Sequence, residues 1–171
     1  MNESMLPVRP AQPGDAIALA PRLRLADRME IRARSGHAPL QALQQGIADS
    51  HPACAVLSPS GDVVAVFGVV PHPQFEQAGI VWLLGADELV AKRGAFLRSA
   101  EYWIARLHRR YLVLGNFIDA RNTVHLRWLQ WLGFRTTRRI EQMGVERRPF
   151  IEFQRRRAPA VEAQMKPHCG A

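Results

Sequence analysis

The pattern of apolar and polar positions predicts a regular order of strands and helices. Short strand-like runs, most of them apolar, predict strands at residues 6–9, 53–57, 63–70, 79–84 and 112–118. Two final strands, at 135–143 and 149–154, are predicted on either side of a turn at Gly144. Segments of helical composition or period lie between them, at residues 16–34, 39–48, 88–111 and 122–132. Pro21 is expected to kink the first of these segments, and Asp15 is a candidate N-cap before it.

This order predicts one α/β domain with a mixed β-sheet. Hairpin-connected strands come first and a strand–helix–strand–helix segment follows, which places helices on both faces of the sheet. The long helix between the strands at 79–84 and 112–118 implies a right-handed crossover, so these two strands should be parallel. We expect the domain to cover residues 1–157. Residues 158–171 have no apolar period, and we expect a disordered tail that is dispensable for folding.

Composition and charge limit the cellular compartments and the classes of partner that fit this chain. No run approaches the roughly 20 apolar residues of a membrane span, and the N-terminus lacks the apolar segment of a signal peptide. A cytoplasmic protein without membrane contact is therefore expected. The two cysteines, Cys54 and Cys169, belong to no CxxC or Cys/His cluster, which disfavours a metal site. The net charge of +8 favours polyanionic ligands such as nucleic acid, while solubility explains it equally well.

Several motifs resemble known proteins. The stretch 116–122, in which Asn122 opens a helix that ends in Leu132-Gly133-Phe134, is similar to the motif after the fifth strand of GNAT acetyltransferases. A wider pattern resembles the phage and prophage family named for internal virion protein A of short-tailed coliphages. This pattern comprises residues 25–31, 39–43, 66–69, 81–87, 144 and 149–153.

The resemblance covers about residues 6–156 and has structural and biological implications. It implies a GNAT-like fold in which the strands at 79–84 and 112–118 splay apart at their C-terminal ends. It also implies a role in a phage particle or its assembly, with other phage structural or assembly proteins as partners. The corresponding location is the cytoplasm of the bacterial host or the virion itself.

GNAT enzymes bind the pyrophosphate of acetyl-CoA with backbone N–H groups at a helix N-terminus. The loop pattern is Arg or Gln, two residues, Gly, one residue, then Gly or Ala. Only Gly94 fits here, because Ala91 and Phe96 stand at the two other defined positions. Two acidic residues add negative charge and two basic residues offset it: Asp87 and Glu88, and Lys92 and Arg93. We therefore expect acetyl-CoA to bind weakly or not at all.

Any remaining cofactor site would lie between the splayed strands, according to the resemblance. The backbone of Leu83 and Leu84 would bind the pantetheine, which requires no particular side chain. The candidate cofactor-binding residues are Trp82, Leu83, Leu84, Lys92, Arg93, Gly94 and Asn122.

The sequence does not single out groups for proton transfer by their spacing. The general acid of GNAT enzymes is usually a Tyr seven residues after the helix-opening Asn, and this position is Leu129, which has no proton to give. His125, one turn earlier, is a substitute, although an ordinary surface or packing histidine fits the pattern better. The candidate bases are Glu30, Glu88, Asp119 and Asp87.

Other polar residues have a structural and a functional interpretation. Asn122 is either a helix cap, which we favour, or a ligand for cofactor or substrate. Asp27 and Glu30 share one helix face, where they pair with Arg24 and Arg34 or form an acidic rim of a cleft. The tryptophans are expected in the core rather than at a ligand platform; they are Trp82, Trp103, Trp128 and Trp131.

These observations support three functions. The leading one is a phage or prophage GNAT-fold protein with a virion or assembly role and a degenerate acyl-CoA site. The first alternative is an active acetyl-CoA-dependent N-acetyltransferase. The second is a nucleic-acid-binding module that uses the arginine-rich surface, although no known nucleic-acid motif is present.

Overall fold

The computed structural model describes residues 5–159 and contains seven strands and six α-helices in that range. The strands are β1 (Val8–Pro10), β2 (Ala53–Leu57), β3 (Val63–Pro71), β4 (Ala78–Gly85), β5 (Val113–Asp119), β6 (Arg135–Met143) and β7 (Arg148–Arg156). The helices are α1 (Pro13–Leu19), α2 (Leu25–Ser35), α3 (Pro39–Asp49), α4 (Asp87–Ala91), α5 (Arg93–Leu107) and α6 (Thr123–Trp131), with a 3₁₀ turn at Ala20–Arg22.

The strands form one mixed sheet in the order β1-β2-β3-β4-β5-β7-β6. Only β4 and β5 pair in parallel, and α5 provides the crossover between them. Leu19 and Leu43 anchor α1 and α3 in one core, while Ile104 and Leu132 belong to a second core beneath α5 and α6. The predicted α/β architecture, a GNAT-like mixed sheet flanked by helices, is confirmed.

The strands β4 and β5 separate after a short parallel ladder. The ladder ends at the pair Ile80 and Gly115, although β4 continues to Gly85 and β5 to Asp119. Along these distal parts β4 stays paired with β3, and β5 stays paired with β7. The sheet therefore opens between β4 and β5 at their C-terminal ends, as the sequence predicted.

Local details differ from the prediction at two helix starts. Helix α1 begins at Pro13 with Gln12 as its N-cap, so Asp15 is not the cap. Asp15 instead accepts the Gln12 N–H at 2.7 Å and forms an ion pair with Arg9 at 2.7 Å. The segment at 88–111 contains two helices rather than one, because the chain turns at Lys92 between α4 and α5.

The turn between β6 and β7 fastens the end of α2. Gly144 has a φ of +72°, and a Cβ there would lie 2.7 Å from Arg34 Cα and against the Ala33 carbonyl. In addition, Glu146 N–H donates to the Ala33 carbonyl at 3.1 Å. Since only glycine adopts this conformation without strain and with such close backbone contact, Gly144 fixes the height of α2 above the sheet.

The predicted domain limits remain a prediction, because residues 1–4 and 160–171 lie outside the described residues. Strand β7 ends at Arg156, and the segment 160–171 lies outside the described residues, so the predicted tail and its dispensability remain predictions. Cys54 is buried on β2. Between residues 5 and 159, no helix combines the length and apolar character needed to cross a bilayer.

Candidate active site

A cavity of about 430 Å³ passes through the opening between β4 and β5. Its lining includes the separated part of β4, residues 116–118 of β5, and side chains from both helix layers. On the α2 and α3 side the lining contains polar residues such as Glu30 and Gln45, whereas Trp103 and Leu129 line it on the α5 and α6 side. This volume lies in the range of about 300–1,000 Å³ that is typical of small-molecule sites.

The side chain of Asn116 bridges the two strands just beyond their last backbone pair. Its Nδ2 donates to the Val81 carbonyl at 2.8 Å, and its Oδ1 accepts a hydrogen bond from the Arg34 guanidinium at 3.0 Å. The Asn116 amide thus satisfies the Val81 carbonyl of β4 and links Arg34 of α2 to the opening by hydrogen bonds. A polar residue within the apolar run of β5 was the only sequence signal for this role, and our sequence analysis did not use it.

The backbone N–H and C=O groups of Leu83 on β4 point into the opening between β4 and β5. Successive residues of a strand point their N–H and C=O groups to opposite edges. The Val81 carbonyl bonds Asn116, and Gly85 N–H bonds the Asp27 carboxylate at 2.9 Å. The groups of Leu83, which lies between these two, therefore face the opening as well, while those of Leu84 face β3.

A buried ion pair joins the start of α2 to the end of β4. Arg24 and Asp27 are 4% and 1% exposed, and Arg24 donates to the Asp27 carboxylate at 2.6 Å. The Arg24 backbone N–H also donates to the Gly85 carbonyl at 2.9 Å. The pairing predicted from the sequence is confirmed, but it lies in the interior rather than on the helix surface.

Glu30 is the acidic side chain at the polar side of the cavity. Its carboxylate accepts hydrogen bonds from Asn122 Nδ2 and from the Asp119 backbone N–H, both at 3.2 Å. Burial raises the pKa of Glu30 to about 7, the negative charge of Asp27 adds to the effect, and the hydrogen bonds and the Arg34 charge oppose it. Arg34 itself donates to Asn116 and so forms no direct surface pair with Glu30.

His125 belongs to a buried polar network and is 9% exposed. Arg24 lies 2.9 Å from its Nε2. A guanidinium can only donate, so Nε2 is the acceptor of this hydrogen bond. The proton of the neutral imidazole then lies on Nδ1. Nδ1 is 3.8 Å from the Asp27 carboxylate. Burial lowers the pKa of His125 to about 4, against the attraction of Asp27. The ring is neutral at pH 7, and its burial against Trp128 agrees with a packing histidine rather than a surface one.

Asn122 links the two carboxylates of α2. It occupies the N-cap position of α6, but its side chain makes no capping hydrogen bond. Its Nδ2 donates to Glu30 at 3.2 Å and to Asp27 at 3.3 Å, while its Oδ1 is buried without a partner. Asn122 therefore stands at the N-cap position, as the favoured interpretation has it, but its side chain bonds the carboxylates of α2 instead of capping α6.

The other candidate bases lie away from the cavity. Asp119 forms an ion pair with Arg121 at 2.6 Å. Glu88 is exposed and pairs with Arg22, and Asp87 is exposed as well. Among the four carboxylates proposed from the sequence, only Glu30 contributes to the cavity lining.

The candidate cofactor-binding residues divide into two groups. Trp82, Leu83 and Leu84 line the cavity. The residues at the start of α5 and α6 do not contribute to its lining; they are Lys92, Arg93, Gly94 and Asn122.

Three of the four tryptophans line the cavity. The fourth, Trp131, is 58% exposed, so the core position expected for it is wrong.

A short helix occupies the chain between β4 and the glycine pattern of the expected pyrophosphate loop. Helix α4 follows β4 directly, and Lys92 N–H donates to the Glu88 carbonyl at 3.1 Å. Leu89 N–H likewise donates to the Ala86 carbonyl at 3.1 Å. These donors are used inside the protein, so fewer backbone N–H groups remain for an anion than in an open, glycine-rich loop.

Opposing pH dependences of stability are expected from Glu30 and His125. The contribution of Glu30 to the free energy of unfolding is fully present below 4.5, the pKa of this side chain in the unfolded chain. It is lost as the pH rises through about 7, the pKa in the folded protein. The contribution of His125 is fully present above 6.5 and is lost as the pH falls through about 4. Each displacement corresponds to at most about 3 kcal/mol. Between pH 4.5 and 6.5 the two effects nearly cancel.

Single substitutions should expose each contribution. In Glu30→Gln the free energy of unfolding should rise with pH between 4 and 6.5, and in His125→Gln it should fall between 4.5 and 7. Urea denaturation at a series of pH values measures both slopes, with the wild type as the flatter reference. Two variants whose slopes equal that of the wild type would show that these groups do not have displaced pKa values.

Solved structures of acetyltransferases share this fold. The ribosomal-protein-alanine N-acetyltransferase from Brucella melitensis is 19% identical and aligns over 88% of this chain and 99% of its own, with a TM-score of 0.68. A GCN5-related N-acetyltransferase from Kribbella flavida is 18% identical over 88% and 97%, with a TM-score of 0.68. A GNAT superfamily phosphinothricin acetyltransferase from Sinorhizobium meliloti in complex with acetyl-CoA is 13% identical over 89% and 88%, with a TM-score of 0.64. At these identities the likeness establishes the GNAT acetyltransferase fold alone.

Comparisons at the sequence level give no further assignment. No protein-family model matches the chain, and no curated protein matches it at a significant level. Nothing in the comparisons supports the association with phage particles that the resemblance implied. The phage partners, the virion location and the nucleic-acid contact therefore remain predictions. Within residues 5–159, no three His, Cys, Asp or Glu side chains are grouped so that they could hold a metal ion.

Proposed function

We propose that this chain is an N-acyltransferase that moves an acyl group from a CoA thioester to a primary amine. The observation that carries the proposal is the position of Glu30, whose pKa is about 7, in the lining of a cavity through the open sheet. A general base is most effective when its pKa lies near the working pH. The fold shared with acetyltransferases, one of them bound to acetyl-CoA, supports the same reaction class by analogy.

The separated edge of β4 is suited to the donor. The backbone N–H and C=O of Leu83 face the opening and have no partner strand there. A pantetheine arm carries two amides, which can pair with such an edge as an added strand would. Trp82 and Leu84 help to line the cavity on either side of Leu83. This mode of binding depends on the shape of the backbone and tolerates changes in the surrounding side chains.

The acceptor amine would approach Glu30 from the α2 and α3 side. The Glu30 carboxylate takes one proton from the ammonium group, and the freed nitrogen lone pair attacks the thioester carbonyl. The C–S bond then breaks, its electron pair leaves with the sulfur, and the second amine proton passes through solvent to the thiolate. Leu129 has no proton to donate. His125, the substitute acid suggested by the sequence, lines the cavity, but its ring already contacts Arg24 and Asn122, so solvent supplies the proton to the thiolate.

Binding of the CoA pyrophosphate should be the weak part of the interaction. Helix α4 uses backbone donors that an open loop would offer, and each lost charge-assisted hydrogen bond forfeits roughly 1.5–3 kcal/mol. Lys92 and Arg93 are exposed beside the start of α5 and provide positive charge there. Reversing the charges of Lys92 and Arg93 should weaken binding of the acyl-CoA donor further without changing the shape of the cavity.

Calorimetric titration with acetyl-CoA and an assay for released thiol test the proposal. The thiol assay would use amino acids, polyamines and short peptides with free amino termini as acceptors. We expect acetyl-CoA binding that the Lys92→Glu/Arg93→Glu variant weakens, and thiol release that depends on the amine. Absence of amine-dependent release across the whole panel would overturn the proposed function, and absence of binding as well would favour a degenerate site.

A further inference from the structure

The part of the cavity between α5 and the sheet extends well beyond the opening. Besides Leu83 on β4, its lining includes Phe67 on β3, Val56 on β2 and Val8 on β1. Neighbouring strands lie about 4.7–4.9 Å apart, so three strand spacings correspond to roughly 14 Å across the sheet. An acetyl group at the opening would occupy only the first part of this length.

The wall of this deep part is apolar. Helix α5 contributes Phe96, Ala100 and Trp103. The one hydroxyl that α5 adds to the lining is that of Ser99, which donates to the Ala95 carbonyl at 3.1 Å and to the Leu6 carbonyl at 3.3 Å. That hydroxyl is therefore satisfied within the protein, and a polar ligand would gain no hydrogen bond from it.

Apart from Ser99 and His125, whose polar atoms contact protein groups, the polar side chains of the lining gather at its other side. Glu30, Arg34 and Asn116 lie where α2 approaches the opening, and His37 and Gln45 are further polar members of the lining on that side. A molecule that fits this distribution has a reactive polar end at the opening and an unbranched hydrocarbon chain in the deep part. Burial of a hydrocarbon group against this apolar wall removes apolar surface from water, which favours an apolar occupant.

We infer that the space beneath α5 is the binding site for the acyl chain of the donor, and that this chain is longer than acetyl. The inference rests on the proposed function, since it names the donor class of the same site. The thioester carbonyl lies at the opening, within reach of the amine, and the hydrocarbon chain runs between α5 and the sheet toward β1. The chemical class of donor is therefore a medium-chain acyl thioester.

A series of thioesters with increasing chain length tests this inference. Calorimetry with CoA, acetyl-CoA, butyryl-CoA and octanoyl-CoA should show affinity that increases with chain length, by at least tenfold from acetyl to octanoyl. The Ala100→Leu variant, which narrows the space beneath α5, should lower octanoyl-CoA affinity at least tenfold and leave acetyl-CoA affinity nearly unchanged. Ala105→Leu, at an exposed position of the same helix, is the matched control and should have no effect.

The outcomes separate this inference from the proposed function. Equal affinity for acetyl-CoA and octanoyl-CoA, or equal loss in both alanine variants, would overturn the acyl-chain site even if acetyl transfer to an amine is measured. Chain-length preference that Ala100→Leu removes would support the site even if no amine is acylated, in which case only the proposed function fails. If Ala100→Leu does not fold, Trp103→Ala enlarges the same space and should increase the preference for longer chains; an unchanged preference would also overturn the inference.

Discussion

Replacement of Glu30 by Gln is expected to lower kcat/KM for amine acylation by about a hundredfold to ten-thousandfold, the usual contribution of a general base. Glutamine keeps the shape of the side chain and can still bond Asn122 and the Asp119 backbone, but it cannot take up a proton. The pKa of about 7 also fixes the pH dependence. In the wild type, kcat/KM should rise as the pH increases through about 7, because Glu30 must be ionised to act as the base.

The Glu30→Gln prediction is checked by thiol release measured on both sides of pH 7. The pH-dependent rise should be absent or displaced in the variant, while acyl-CoA affinity measured by calorimetry stays within a few-fold of the wild type. Glu141→Gln, at an exposed position of β6, is the control and should leave the profile unchanged. A Glu30→Gln protein that keeps the wild-type rate and pH profile would remove Glu30 from the mechanism.

Replacement of Asp27 by Ala is expected to destabilise the fold by about 3–5 kcal/mol, because it leaves the buried Arg24 guanidinium without its counter-charge. The same change removes the acceptor for Gly85 N–H at 2.9 Å and for Asn122 at 3.3 Å. For a domain of this size each kcal/mol lowers Tm by roughly 2–4 °C. Urea denaturation and thermal melting of the purified chain measure the loss.

Two comparisons show whether the loss at Asp27 comes from the unpaired charge. Glu141→Ala breaks the exposed pair with Arg139 and should cost less than about 1 kcal/mol. The double variant Arg24→Met/Asp27→Leu removes both buried charges and should recover much of the lost stability, because the uncompensated charge is gone. A loss below 1 kcal/mol in Asp27→Ala alone would show that water reaches Arg24 and that the pair is not structurally important.

The buried pair and the candidate base depend on one another through α2. Asp27 and Glu30 lie one turn apart, and the negative charge of Asp27 helps to raise the pKa of Glu30. Arg24 holds Asp27 from one side, while Asn122 donates to both carboxylates. The network therefore fixes the base in position, while within it Asp27 raises the pKa of Glu30 and the Asn122 hydrogen bond lowers it.

Local pattern determined the secondary structure of this chain. The apolar run at 53–57 forms a strand with these same limits, and the predicted strand at 135–143 is observed unchanged. The long helical segment between two apolar runs also predicted the parallel pair of β4 and β5. These features depend on the period of apolar residues and on the handedness of crossovers, both of which operate over short stretches of chain. The break at Lys92, which divides the predicted helical segment 88–111 into α4 and α5, was not predicted.

The chemistry of the site was decided by tertiary structure. Glu30 and Asn122 meet across 92 positions of the chain, and Asn116 reaches Val81 across 35, so no local pattern could pair them. Sequence alone left Glu30 as one of several candidate bases and made Asn122 a helix cap. A pKa of about 7 for Glu30 arises mainly from burial, and burial is a property of the surrounding elements rather than of the residue. The sequence therefore determined which strands open, whereas packing of α2 against that opening decided which carboxylate faces the cavity.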